Sequence, residues 1–143
     1  MRARLIGLTA AALLFAAGAA SAATLHFTTS LKGAEEVPPH VVPGTGKVSA
    51  ELDTATKVFT YKVTYAGLTG PATMAHFHGP AGPGVNAPPV VPVPASALAN
   101  PMTGKATLDD GQIADLKAGK WYFNIHTAAN PGGEIRGQLP ASK

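Results

Sequence analysis

The 143-residue chain has no cysteine. No disulfide can form, although a domain of this size can bury enough core to fold without one. Any metal site must therefore be built from histidine, carboxylate or methionine rather than thiolate. Charge is also scarce. The 11 Lys and Arg stand against 8 Asp and Glu, and two of the basic residues, Arg2 and Arg4, belong to an N-terminal segment set apart below. Without them nine face eight, a formal charge of +1. No lysine or arginine cluster remains, which argues against nucleic acid or an acidic membrane surface as a partner. The sequence shows no nucleophile with a base beside it. Ser21, Ser30, Ser49, Ser96 and Ser142 have no elbow around them, and Gly79-Pro80-Ala81-Gly82-Pro83-Gly84 lacks the lysine and helix of a phosphate loop. There is no internal repeat and no long low-complexity tract.

The first residues read as an address. Arg2 and Arg4 precede the apolar run "LIGLTAAALLFAAGAASA", which closes on Ala20-Ser21-Ala22. A charged start, a short apolar stretch and a small-residue cleavage site define a secretory signal peptide over residues 1–22. No stop-transfer pattern follows, so the sequence predicts no membrane span after cleavage. Residues 23–143 are expected to be a single domain, located in the periplasm or secreted.

Glycine and proline are abundant, 16 and 13 residues, and they fall between the apolar segments. Period-2 alternation predicts strands over 24–31, 46–52, 57–65, 72–78, 89–93, 104–108, 121–127 and 133–139. "DTAT" forms the turn of a hairpin between the second and third. "PPVVPVP" reads as an edge strand, since proline cannot donate to a central ladder. One short helix is predicted in "LDDGQIADLKAG", with Asp109 or Asp110 as N-cap, Ile113 and Leu116 on one side, and a stop at Gly119. These elements predict an all-β protein, an antiparallel Greek-key β-sandwich with one short crossover helix.

The chemistry concentrates in "MAHFHGPAGPG". Alternate residues of a strand share a face, so His76 and His78 lie with Met74, and Ala75 and Phe77 point into the core. In "WYFNIHT" the same rule puts Trp121, Phe123 and Ile125 on one side and Tyr122, Asn124 and His126 on the other. All three histidines are then expected to face outward. If the two strands are neighbours, the imidazoles converge within reach of one ion. Three such ligands suit copper or zinc, with a further position left open, and Met74 is available as a soft ligand for Cu(I). The alternative is that these are polar residues on an exposed strand face, and both readings stand at this point. His26 and His40 are expected to be surface histidines.

Glu134 and Arg136 alternate on one face of the last strand, while Glu35 and Glu36 precede "VPP" in the first loop. Arg136 is the only arginine beyond Arg4, and its fork, which can hold a carboxylate or backbone carbonyls, predicts a buried or half-buried ion pair. Asn130-Pro131-Gly132-Gly133 predicts a tight turn that brings Thr127 and Asn130 near His126.

The segments "LKGAEEVPP", "GLTGPATMAHFHGPAGPGVNAPPVV" and "LKAGKWYFNIHTAANPGGEIRGQL" closely resemble the CHRD domain, the module named after chordin, over about residues 24–139. His76, His78 and His126 fall where motifs of that family, H-[IF]-H-G and [NV]-[IV]-H-T, carry histidine. Glu36, Glu134 and Arg136 likewise match EVPP and GEIRGQ. In chordin the domain is repeated within a secreted growth-factor antagonist, and bacterial members look like single-domain exported proteins. The predicted sandwich is immunoglobulin-like or similar to Cu/Zn superoxide dismutase, which also holds copper with a His-x-His strand pair. That enzyme's zinc ligand cluster, disulfide cysteines and charged steering loop have no counterpart here. Two functions follow as expectations. One is an exported protein binding copper, or zinc, through His76, His78 and His126; if it is an enzyme, a copper redox activity of superoxide dismutase type is the first expectation. The other is a non-catalytic module holding a protein or glycan partner through loops 80–103.

Overall fold

The computed structural model describes residues 21–142, so the predicted signal peptide lies, apart from its last two residues, outside the described part. The eight strands are β1 (Thr24–Lys32), β2 (Thr45–Asp53), β3 (Val58–Ala66), β4 (Ala72–His78), β5 (Pro89–Pro92), β6 (Met102–Thr107), β7 (Tyr122–Thr127) and β8 (Ile135–Gln138). They pair antiparallel in one sheet with the order β5-β4-β7-β8-β1-β2-β3-β6. The all-β expectation holds, and every strand read from alternation exists. The last is shorter than expected because the turn extends to Glu134.

The sheet folds over itself at its middle. A single pair, Lys32 with Arg136, links β1 to β8. The halves on either side of this link face each other across a common core. Aromatic rings join them: Phe59 and Tyr61 on β3 each lie 5.1 Å, centroid to centroid, from Phe77 on β4. Phe59 also meets Trp121 at 5.7 Å. The chain crosses between halves at β3→β4, β5→β6 and β6→β7, which makes β4–β7 and β3–β6 neighbours despite their distance in sequence. The proline-rich strand β5 takes an edge, as its missing donors require. Between the two edges, β5 and β6, a cleft of about 260 Å³ lined by Tyr61, Val91, Pro92, Gly104 and Leu108 marks the seam.

The last crossing is made by helix α1 (Asp110–Lys117), and its ends follow from local chemistry. Asp109 caps it, accepting from the Gln112 N–H while the Gln112 side chain accepts from the Asp109 N–H. This reciprocal capping box contributes about 1 kcal/mol. Gly119 ends it at φ +73°, where a side chain would be strained. Among the described residues no helix is long and apolar enough to cross a membrane.

Candidate metal centre

Strands β4 and β7 are neighbours, the condition on which convergence of the histidines depended. Their register sets Met74 opposite His126, His76 opposite Asn124 and His78 opposite Tyr122. Ala75 and Phe77 point into the core beside Phe123 and Ile125, so the polar residues of both strands share the outer face. One ligand-capable nitrogen from each of His76, His78 and His126 lies within 4.8 Å of the others. The rings of His76 and His78 are 5.3 Å apart and those of His76 and His126 5.2 Å. These three side chains could hold a metal ion. His26 lies elsewhere, exposed beside Glu51 at 3.2 Å, and neither it nor His40 joins the cluster.

Each ring is fixed by what its remaining nitrogen does. His126 Nδ1 lies 2.9 Å from the Pro131 carbonyl. A carbonyl only accepts, so Nδ1 carries the proton and Nε2 presents its lone pair. That Nε2 is buried with no hydrogen-bond partner, and so is His76 Nδ1. A buried polar atom left without a partner costs about 1–3 kcal/mol, so water or a cation is required at both. His78 is held differently, with Nδ1 2.9 Å from the Ala87 carbonyl and Nε2 2.9 Å from Asn124 Oδ1. A neutral ring has one proton for these two acceptors, and a metal at Nε2 would have to displace Asn124 Oδ1 from that nitrogen. Imidazoles fixed through Nδ1–H to a backbone carbonyl are typical metal ligands, since that bond sets both tautomer and ring orientation.

Two of the rings, His76 and His78, are shifted towards the neutral form. Burial, reinforced by the neighbouring His126 and His78, depresses His76 from 6.5 to about 4. Burial likewise lowers His78, against the opposing pull of its bonds to Ala87 and Asn124. Neutral imidazole is the ligating form, so protons begin to compete for His76 only near pH 4.

One sequence expectation needs correction. The three histidines lie on the outer face of the sheet, but His78 and His126 are only 7% exposed. The connection 79–88 folds over that face and is tied down by the site itself. Tyr122 stacks on His78, with ring centroids 4.7 Å apart and planes 2° from parallel. The Arg136 guanidinium sits 3.4 Å from the centre of the Tyr122 ring. Because β4 and β8 flank β7 on opposite sides, His78 and Arg136 cover opposite faces of Tyr122. The phenol oxygen donates to the Ala87 carbonyl at 3.2 Å and accepts from the Ala87 N–H at 3.1 Å. Arg136 donates to Asn86 Oδ1 at 2.9 Å and to the Val85 carbonyl at 2.6 Å.

A second correction follows. The expected Arg136 ion pair is absent, since among the described residues no carboxylate lies within salt-bridge distance of it. Its fork holds the loop instead, and its charge acts at longer range on Glu36. Glu36 is buried and its Oε1 has no hydrogen-bond partner. Burial raises it from 4.5 to about 7, offset in part by Arg136, the Asn124 side chain and the Val37 backbone. Gly133 makes room for this carboxyl. A Cβ there would collide with Glu36 Oε1 and the Asn124 amide, and its φ of +127° excludes most side chains in any case.

The Glu36 shift predicts a pH dependence of stability. A folded-state value above the unfolded one means the native protein binds the proton more tightly, so stability falls as pH rises from 4.5 to 7. At about 1.4 kcal/mol per unit the shift is worth about 3 kcal/mol, reduced by partial hydration to about 2 kcal/mol. In urea unfolding, Glu36→Gln is expected to gain that amount on the parent between pH 5 and pH 8. A gap between variant and parent that stays constant across this range contradicts the assignment. His76 titrates with the opposite sign, losing stability as pH falls through 6.5 towards 4, but it contributes equally to both proteins.

Glu134, also fully buried, is satisfied. It accepts from the Thr69 N–H at 3.1 Å, from the Thr69 hydroxyl, and from Asn130 Nδ2 at 2.9 Å. Thr127 receives the Asn130 N–H at 3.2 Å. This network rigidifies the hairpin whose Pro131 carbonyl orients His126, so the expected proximity of Thr127 and Asn130 to His126 has a purpose. Tyr122 and Asn124 are the site residues that sequence reasoning passed over. The signal was present, because alternation had already put both on the face of His126. Asn86 and Ala87 carried no such signal.

Three imidazoles cluster on the outer face of an antiparallel β-fold. The chain matches the CHRD domain family over residues 27–139 and belongs to that family. No curated protein and no solved structure matches it.

Proposed function

We propose that the protein is an exported CHRD-domain metal-binding protein that holds a transition metal, copper in preference to zinc, through His76, His78 and His126. The observation that carries this reading is the convergence of three imidazole nitrogens within 4.8 Å, two of the rings having a buried nitrogen without a partner. Three imidazoles suit both metals, and copper stands above zinc in affinity for such donors. Export is read from the segment at residues 1–22, which places the protein in the periplasm or outside the cell. When bound, copper would supply one-electron redox chemistry. The chain's contribution is to orient His78 and His126 through Ala87 and Pro131 and to favour the neutral form of His76 and His78 by burial.

Isothermal titration of the purified protein with Cu(II), Cu(I) and Zn(II) tests the reading, beside a variant with all three histidines changed to alanine. The expected result is one-to-one binding by the parent and none by the variant, with superoxide and peroxide assays to follow on the copper form. Equal, weak binding by both would end the metal reading and favour a non-catalytic module that recognises a protein or glycan through loops 80–103.

A further inference from the structure

The histidine cluster is covered at one end, and His76 is its least buried member. At the His78 end the 79–88 connection lies over it, through Ala87. At the other end stands Met74, directly across from His126 in the β4–β7 ladder and two residues before His76 on the same face. Met74 is 46% exposed, and it belongs neither to the core nor to the hydrophobic side chains packed against it. Packing therefore does not account for it. The ladder shifts between Ala72 and Met74, leaving Thr73 as the extra residue of a bulge. Bulges recur beside functional sites, where they re-aim a side chain.

Residues directly opposed across an antiparallel pair have Cβ atoms about 4.5–5.5 Å apart, which puts the His126 ring within reach of the flexible Met74 side chain. Its sulfur is a soft, neutral donor that favours Cu(I) over Zn(II). Charge points the same way. Among the described residues no carboxylate joins the cluster, and the Arg136 guanidinium lies just behind Tyr122. A half-buried site with only neutral donors and a nearby cation accepts one positive charge more readily than two.

We propose that Met74 is the fourth ligand of the three-histidine site and makes it selective for cuprous ion. This rests on the three-histidine reading above and adds to it the oxidation state of the metal. Zinc, indifferent to a thioether, would be held by the histidines alone.

The test is a competition titration of Cu(I) against a chromophoric Cu(I) chelator under reducing, anaerobic conditions, with a parallel Zn(II) titration. The proteins are the parent, Met74→Leu, which keeps bulk and loses sulfur, and the triple-histidine variant. Met74→Leu is expected to bind Cu(I) at least about tenfold more weakly with Zn(II) affinity unchanged. X-ray absorption of the Cu(I) form is expected to show a sulfur neighbour in the parent and none in Met74→Leu. If the parent binds and the triple variant does not, yet Met74→Leu binds Cu(I) as well as the parent, Met74 is not a ligand and the histidine reading stands alone. An equal loss for both metals in Met74→Leu also overturns the selectivity. If parent and triple variant bind alike, the histidine reading fails and this inference with it.

Discussion

Replacing His126 with alanine is expected to weaken copper binding on the order of 100-fold or more while leaving the metal-free protein almost as stable as the parent. Loss of a residue that merely supports a metal ligand costs about 10–100-fold in affinity, and loss of a ligand costs more. His126 is the decisive one because it alone comes from β7. Without it the site retreats to His76 and His78 on β4, a pair with no third strand-borne partner to close the chelate. The small effect on the metal-free protein follows from opposing changes. The variant loses the bond from Nδ1 to the Pro131 carbonyl, worth about 1 kcal/mol, and the packing of a buried ring, and is relieved of an Nε2 that the protein leaves without a partner, worth about 1–3 kcal/mol. Thermal unfolding with and without copper reads both parts. The parent gains about 2.7 kcal/mol at a hundredfold excess of metal over Kd, and His126→Ala gains far less. A variant that unfolds readily without metal, or that is stabilised by copper as much as the parent, would contradict this account.

The largest effect on stability is expected at Arg136. It is 2% exposed, and Arg136→Ala removes bonds to Val85 and Asn86 together with the contact on Tyr122. Hydrogen bonds from a charged group are worth about 1.5–3 kcal/mol and a desolvated cation–π contact about 2 kcal/mol. The change also takes away the positive charge that steadies Glu36, and uncompensated buried charge is costly. A loss of about 3–5 kcal/mol in urea unfolding is expected. Proteolysis should then concentrate in residues 79–88, whose anchors have gone. Arg136→Lys keeps the charge but loses the fork, so it is expected to recover only part of the stability. A loss below about 1 kcal/mol for Arg136→Ala would mean that the loop is held by its own packing.

These two predictions also separate what was readable in the residue order from what was not. Alternation in "MAHFH" and "WYFNIHT" assigned all three histidines to one side of their strands, because the period of a strand is local and involves no distant residue. The helix limits at Asp109 and Gly119 were equally legible, since capping is settled within a few residues. The neighbourhood of β4 and β7 was not, because strands separated by two crossings become neighbours only when the core closes. The covering of the face was not legible either, and an alternating pattern with polar residues on one side reads as a wet surface. Arg136 shows why. Its expected carboxylate partner gave way to Asn86 and Val85, residues 50 and 51 positions away.

By itself the sequence determined the fold class, the strand faces and the identity of the three candidate ligands, since each depends on local periodicity and residue chemistry. Only the tertiary structure decided that those ligands meet within 4.8 Å, that two of them are buried, and that Met74 stands across the ladder from His126. Those outcomes depend on strand register and on loop closure over the sheet, which the packing of the whole domain sets.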